Sequence, residues 1–361
     1  MADRLDEYRR KRDKARTPEP VPAGRPRKGG DDAFVIQQHH ARSLHWDLRL
    51  ERDGVLVSWA VPRGLPRDPG RNHLAVNTED HPMEYLDFHG EIPAGEYGGG
   101  RMTVYDRGTY QTEKWRDSEV IVVLRGGKVS GRYVLFRTGG KDWMVHRMDP
   151  PPDGWTPAPV DLRPMQPARA ARLPADDDAW GYELRWDGQR MLGYVSGGRL
   201  ELRDAEGADR TAGYPELREL AETLAPTECV LDGVVVAFDA DGRVSQAALA
   251  PRTAPGAVDG PAARRLASRH PVQYLLVDLL WLDGVSTVDI AYARRRELLG
   301  GLALEGPHWQ VPPHFTGGGA FARDAARAQR TGGLLAKRLD GAYQPGRTSR
   351  LWLRVPVKPG T

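Results

Sequence analysis

The chain has 361 residues, 40% of them apolar, enough for two domains with cores of their own. Its one cysteine, Cys229, excludes an internal disulfide, and no apolar run approaches the ~20 residues of a membrane-spanning helix. The net charge of +3 is weak grounds for a nucleic-acid partner, although residues 1–30 hold ten Lys/Arg against five Asp/Glu.

That basic arm either lies on phosphates or is a solvated tail. The opening MADRLDEYRRKRDK is charged from the start and does not read as a secretory signal, so a reducing cytoplasm, beside the nucleoid, is the expected setting. After the arm, residues 31–150 read as nearly all β. His45–Leu50 alternates, Asp53-Gly54 supplies a tight turn, and Val55–Val61 follows. Met102–Asp106, Val120–Leu124, Arg132–Arg137 and Trp143–His146 read as further strands between glycine-rich turns, which suggests a small barrel or sandwich. The proline-dense stretch 151–162 blocks helix and ladder alike and reads as a linker. Residues 163–361 mix signals. Tyr182–Trp186, Met191–Ser196, Val230–Phe238 and Val272–Trp281 read as strands, whereas YPELRELAETL and Ala320–Gln329 have helical spacing, so this half is expected to be α+β.

The stretch QQHHARSLHWDLRLE (37–51) poses a chemical question. Alternation puts Trp46, Leu48 and Leu50 on one face of a strand and His45, Asp47 and Arg49 on the other. Two imidazoles and a carboxylate suit Mn²⁺ or Zn²⁺, provided a turn at His40–Ser43 folds His39 back toward His45 and Asp47. Arg49 would then fork onto a phosphate oxygen beside the metal. The plain alternative is a solvent-facing strand with ordinary polar residues. His81, set among acids in TEDHPMEY, either holds or protonates a phosphate oxygen or is an ordinary loop histidine.

The blocks YRRKRDKARTPEP, QQHHARSLHWDLRLE, GVLVSWAVPRG, LAVNTEDHPMEY and GEIPAGEYGGG, in this order, resemble the 3′-phosphoesterase domain of bacterial ligase D across nearly all of residues 1–150. The resemblance implies a small β-barrel and a Mn²⁺-dependent enzyme. Such enzymes remove a terminal ribonucleoside, and then the 3′-phosphate, from DNA or primer-template 3′ ends. It implies metal ligands at His39, His45 and Asp47, and phosphate handling at Arg49, His81 and Arg63. It also implies functional positions at Tyr85, Arg12, Asp13 and Glu19. His73 stands where well-known members have arginine, which puts phosphate affinity in doubt.

The stretch YELRWDGQR resembles the first motif of ATP-dependent DNA ligases, and VLDGVVVAFDADG, VQYLLVDLLWLDG and LLAKRLDGAYQPGRTSRLWLR extend the likeness over roughly residues 163–358. Glu183, Asp187, Gly188 and Arg190 match, but the nucleophilic lysine is replaced by Arg185. The nucleophile must be a neutral amine, and a guanidinium stays protonated. No lysine occurs between Lys141 and Lys337, and Lys337 matches a phosphate-contacting lysine instead. Val234 and Gly332 stand where ligases have glutamates, Ala205 where they have arginine, and Arg354 and Pro356 where they have lysines. An adenylation-like domain without its reaction, without ATP use and without a following oligonucleotide-binding domain is therefore expected.

The expectation is a DNA 3′-end-processing phosphoesterase joined to a degenerate ligase domain. DNA or primer-template ends are its substrates, and Ku or a ligase D-type enzyme are the partners the resemblance suggests. The rival readings are a genuine ATP-dependent ligase and a non-catalytic end-binding scaffold.

Overall fold

The structure, a computed structural model, describes residues 3–24, 29–151, 153–253 and 260–357. Arg25, Arg27 and Lys28 of the basic arm, and residues 358–361, lie outside these. The chain divides into two units, Met1–Asp153 and Gly154–Thr361. No helix among the described residues is long and apolar enough to cross a membrane.

In the first unit the strands are β1 (Ala33–His40), β2 (Leu44–Arg52), β3 (Val55–Val61), β4 (Asn72–Asn77), β5 (Gly90–Ile92), β6 (Gly100–Arg116), β7 (Glu119–Gly126), β8 (Ser130–Gly139) and β9 (Asp142–Arg147). They pair in the order β1-β2-β3-β4-β9-β8-β7-β6, and β6 returns to β1 and closes an eight-stranded barrel. β5 hangs on β6 outside the ring. Closure leaves no free edge in the ring. The sequence reading found β2, β3 and parts of β6–β9. It did not identify β1, β4 and β5, whose alternation is masked by polar residues.

Cross-strand pairs sort the two faces of the β1–β2 hairpin. Phe34 opposes Leu50, Ile36 opposes Leu48, and Gln38 opposes Trp46; this face points into the barrel. Val35 opposes Arg49, Gln37 opposes Asp47, and His39 opposes His45 on the outer face. The outer face is not solvated. Asp47, Arg49 and Glu51 are 5%, 2% and 3% exposed. The N-terminal arm covers it: the short helix α1 (Asp6–Arg10) packs Leu5 and Tyr8 against Val55, Leu56, Tyr85, Ile92 and Met102. Burying each such apolar side chain stabilises by about 1.5–3 kcal/mol, which makes the arm a structural part of the barrel rather than a tail.

The second unit holds two sheets. One pairs Gln166–Arg169, Thr348–Val355, Leu334–Arg338, Trp180–Leu184 and Phe315–Thr316; the larger is centred on Gln189–Ser196, Cys229–Val236 and Gln273–Leu282. Its helical stretch near 217–224 is shorter than the periodicity suggests, a 3₁₀ turn (Pro215–Leu217) followed by Glu219–Leu224. Leu217, Leu220, Ala221 and Leu224 still pack together on the larger sheet. The proline-rich stretch expected to be a linker is folded onto this unit from Gly154 on. The Thr156 amide donates to Gly284, the Trp281 indole donates to Thr156, and Ala158 and Leu162 join a core around Trp352. Proline blocks ladders, but it does not prevent packing.

Candidate active site

The β1–β2 turn sets the geometry. With the turn at residues 41–43, His39 comes directly opposite His45, and their ring centroids lie 4.7 Å apart. Asp47, two residues further along β2, reaches both: Oδ2 is 3.7 Å from His39 Nδ1, and Oδ1 is 3.8 Å from His45 Nε2. One ligand atom from each of the three lies within 4.8 Å of the others, the one such group of His, Cys, Asp or Glu among the described residues. His45 Nδ1 sits 3.1 Å from the Ser43 carbonyl, which only accepts, so Nδ1 donates there and Nε2 is the nitrogen turned toward Asp47. His39 approaches Asp47 through Nδ1, and its other ring nitrogen, Nε2, is buried with no hydrogen-bond partner. Burial opposes the charge on Asp47, yet Arg49 and the two imidazoles outweigh it and hold the carboxyl down to about 2. This donor set fits a divalent transition metal.

Arg49 is held from three sides. Its Nε donates to Gln37 Oε1 (2.7 Å), Nη1 to Ser58 Oγ (2.9 Å) and Nη2 to Asp47 Oδ2 (3.0 Å). Its guanidinium carbon lies 4.8 Å from the Tyr85 ring centroid. The amide of Gln37 in turn donates to the carbonyls of Tyr85 and Phe88, tying β1 to the segment that follows His81.

The arm contributes Arg12 and Glu19. Arg12 donates to Glu19 (2.7 Å) and Glu79 (2.9 Å), stacks 3.8 Å from the Tyr8 ring centroid, and approaches His81 Nε2 at 3.4 Å. The Tyr85 hydroxyl donates to Glu19, and burial pushes its pKa up, so at neutral pH it stays a neutral donor. His81 is 4% exposed, and its Nδ1 donates to the Glu79 carbonyl. Burial first, then the cations Arg49 and Arg12, depress its pKa well below the usual value. With Nδ1 engaged by the Glu79 carbonyl, Nε2 faces Arg12 and is disposed to accept.

Two expected residues stand apart from this cluster. Asp13 is exposed and its carboxylate accepts from the Ala15 amide within its own turn. Arg63 is exposed just beyond the end of β3, in the turn that His73 Nδ1 pins through the Gly64 carbonyl (2.8 Å). His73 is thus a turn-holding donor here. The sequence reading missed Gln37, Ser58, Glu79 and Tyr8. A period-two signal existed for two of them: Gln37 precedes His39 by two, and Glu79 precedes His81 by two.

In the second unit, Arg185 leaves the strand just after Leu184 and pairs with Asp187. A Cβ added at Gly332 would fall 2.6 Å from Arg185 Nη2 and 2.7 Å from Asp187 Oδ2. The guanidinium of Arg185 thus lies against Gly332. Val234 is buried beside Val236 and Leu275, opposite Arg190. Lys337 is fully buried, 2.9 Å from Glu183 Oε2 and 4.2 Å from the Trp352 centroid, and burial lowers its pKa. Arg190 forks onto Asp232, which also accepts from Tyr343 (2.6 Å).

Comparison with known proteins agrees with both halves. The family described as DNA Ligase D 3′-phosphoesterase domain matches residues 37–137, and that described as ATP dependent DNA ligase domain matches residues 168–355. The chain belongs to the ATP-dependent DNA ligase family and carries a ligase D 3′-phosphoesterase domain ahead of the adenylation domain. It is homologous to mycobacterial LigD. It is 44% identical over 368 residues to "Multifunctional non-homologous end joining protein LigD" of Mycolicibacterium smegmatis, covering 99% of this chain and 46% of that protein. It is 32% identical to the Pseudomonas aeruginosa protein of the same name, covering 97% of this chain and 47% of that one. The chain thus spans about half the length of the curated relatives it matches. Among solved structures, the ligase domain of M. tuberculosis LigD is 35% identical, with a TM-score of 0.45, over 54% of this chain and 58% of that one.

Proposed function

We propose that the first unit is a metal-dependent phosphoesterase that cleans DNA or primer-template 3′ ends in end-joining repair, and that the second unit does not form a covalent adenylate. The observation that carries the first part is the convergence of His39, His45 and Asp47 within 4.8 Å beside an immobilised Arg49. These three would hold the ion, Mn²⁺ by the family likeness, which when bound supplies Lewis-acid polarisation of a phosphoryl oxygen.

The chain's own residues supply orientation and charge. Arginine has five N–H donors and three are engaged at Arg49, so two remain for phosphoryl oxygens, their direction fixed before substrate arrives. His81, neutral, accepts rather than donates a proton at Nε2 once Arg12 is drawn aside. Tyr85 and Glu19 position Arg12 and Arg49 rather than react. Arg63, exposed at the end of β3, is the remaining cation for a longer phosphate backbone. Hydrolysis of the terminal monoester consumes water and releases a 3′-hydroxyl and inorganic phosphate. Expected partners are DNA ends, with Ku or a ligase D-type enzyme in the same pathway.

The test is a primer-template ending in 3′-phosphate, incubated with the full chain across a series of divalent metals. Phosphate release with Mn²⁺ is the expected result, and none with any metal sinks the reading. The family match over residues 168–355 favours a second reading, a working ligase. Incubation with ATP labelled at the α-phosphate separates them: a covalent protein–AMP band would overturn the silent-ligase reading.

A further inference from the structure

This inference rests on the phosphoesterase reading and adds to it how the terminal nucleoside is gripped. The segment between β5 and β6, Pro93–Gly99, hangs over the end of β1, where His40 opposes Arg101 and His39 opposes Met102. Its glycines allow close approach. Gly98 has φ +77 and its added Cβ would come 3.9 Å from His39 Cε1; at Gly100, with φ +141, a Cβ would strike the His40 carbonyl at 2.2 Å. The loop's one aromatic, Tyr97, is 49% exposed, whereas Tyr8 and Tyr85 at the site are buried. Tyr97 is not floppy. Its hydroxyl receives Lys11 Nζ at 3.3 Å and faces Glu79 Oε2 at 3.5 Å, and Lys11 lies 4.6 Å from the ring centroid. The ring and His45 line one cleft of about 720 Å³, with Arg42 on its wall. That volume lies within the usual range of small-ligand sites. The acid nearest the ring in sequence, Glu96, is paired with Arg16 at 2.7 Å.

An exposed aromatic ring, tethered by its hydroxyl and lining a cleft whose wall includes His45, one of the three clustered metal-type donors, is a platform for a nucleobase. We propose that Tyr97 stacks on the 3′-terminal base of the substrate and so determines the grip on unpaired or frayed ends. Stacking tolerates every base, so the platform confers a preference for splayed ends rather than for sequence.

The experiment uses the full chain in EDTA and a primer-template whose 3′-terminal base is 2-aminopurine, so binding is read without turnover. The wild type is expected to quench the fluorescence. Tyr97→Ala and Tyr97→Leu are expected to lose the quench and bind about tenfold more weakly, whereas Tyr97→Trp keeps both. Leucine retains bulk without a π face, so a loss shared with alanine and spared by tryptophan identifies stacking. With Mn²⁺ present, the loss falls mainly on KM. Unchanged quench and affinity in Tyr97→Ala and Tyr97→Leu overturn the proposal even if phosphate is released. Quenching that depends on Tyr97 without phosphate release upholds it while the phosphoesterase reading fails.

Discussion

Two polar clusters, one in each unit, begin from similar material and end differently. On the outer face of β1 and β2, burial gathers His39, His45 and Asp47 but leaves His39 Nε2 without a hydrogen-bond partner. In the second unit, buried acids of the described residues sit beside cations at short range. Glu183 has Lys337, Asp232 has Arg190, and Asp278 has Arg295. Arg185 is paired with Asp187 where the ligase pattern has a free amine. A cluster poised for a ligand keeps acceptors open at the cost of desolvation, whereas one whose charges are internally matched gains little from a ligand.

The comparison breaks most sharply at Asp47. Asp47→Ala removes the carboxylate that both imidazoles and Arg49 face, and 3′-phosphate release should fall by about a hundredfold or more, measured at saturating Mn²⁺. Metal binding measured by calorimetry should be lost with it. If activity survives, the open acceptors on β2 have no bearing on the reaction.

Arg12 tests whether the arm belongs to the site. Arg12→Ala strips the counter-charge from buried Glu19 and leaves buried Glu79 with Lys11 alone, and should cost about 3 kcal/mol in denaturant unfolding of the first unit. Arg12→Lys should recover part of this but not the simultaneous bridging of Glu19 and Glu79.

A smaller effect comes from pH. His81 has a folded pKa well below its unfolded value near 6.5, so the unfolded chain binds the extra proton first. Stability therefore falls as pH drops below about 6.5, by about 1.4 kcal/mol at pH 5.5 from this group. Melting curves in EDTA at pH 7.5 and 5.5 should differ less for His81→Gln than for the wild type. Equal differences would mean that His81 is not held neutral.

The smallest expected effect sharpens the other half. Arg185→Lys should yield no protein–AMP, because Val234 and Gly332 still lack carboxylates and Lys337 remains buried against Glu183. Adenylation by this single variant would show that the second unit lost its nucleophile and nothing else.

Much of the site was legible before any fold was known. The alternation in residues 45–50 and the short turn after His40 follow from the two-residue period of a strand, a local rule. The motif blocks likewise carried the assignment of both halves. The neutrality of His81 was not legible, because it depends on Arg49 and Arg12, which come from distant segments of chain. The same holds for Gln37 as a brace for Arg49.

The sequence by itself determined which residues carry chemistry, their spacing along β2, and the replacement of the ligase lysine by Arg185. Only the tertiary structure decided that the polar face is buried under the N-terminal arm, that the proline-rich stretch packs onto the second unit, and that Arg185 lies against Gly332. The reason is that burial and pairing of charge depend on what other segments bring to within a few ångströms, and the one-dimensional pattern does not contain those distances.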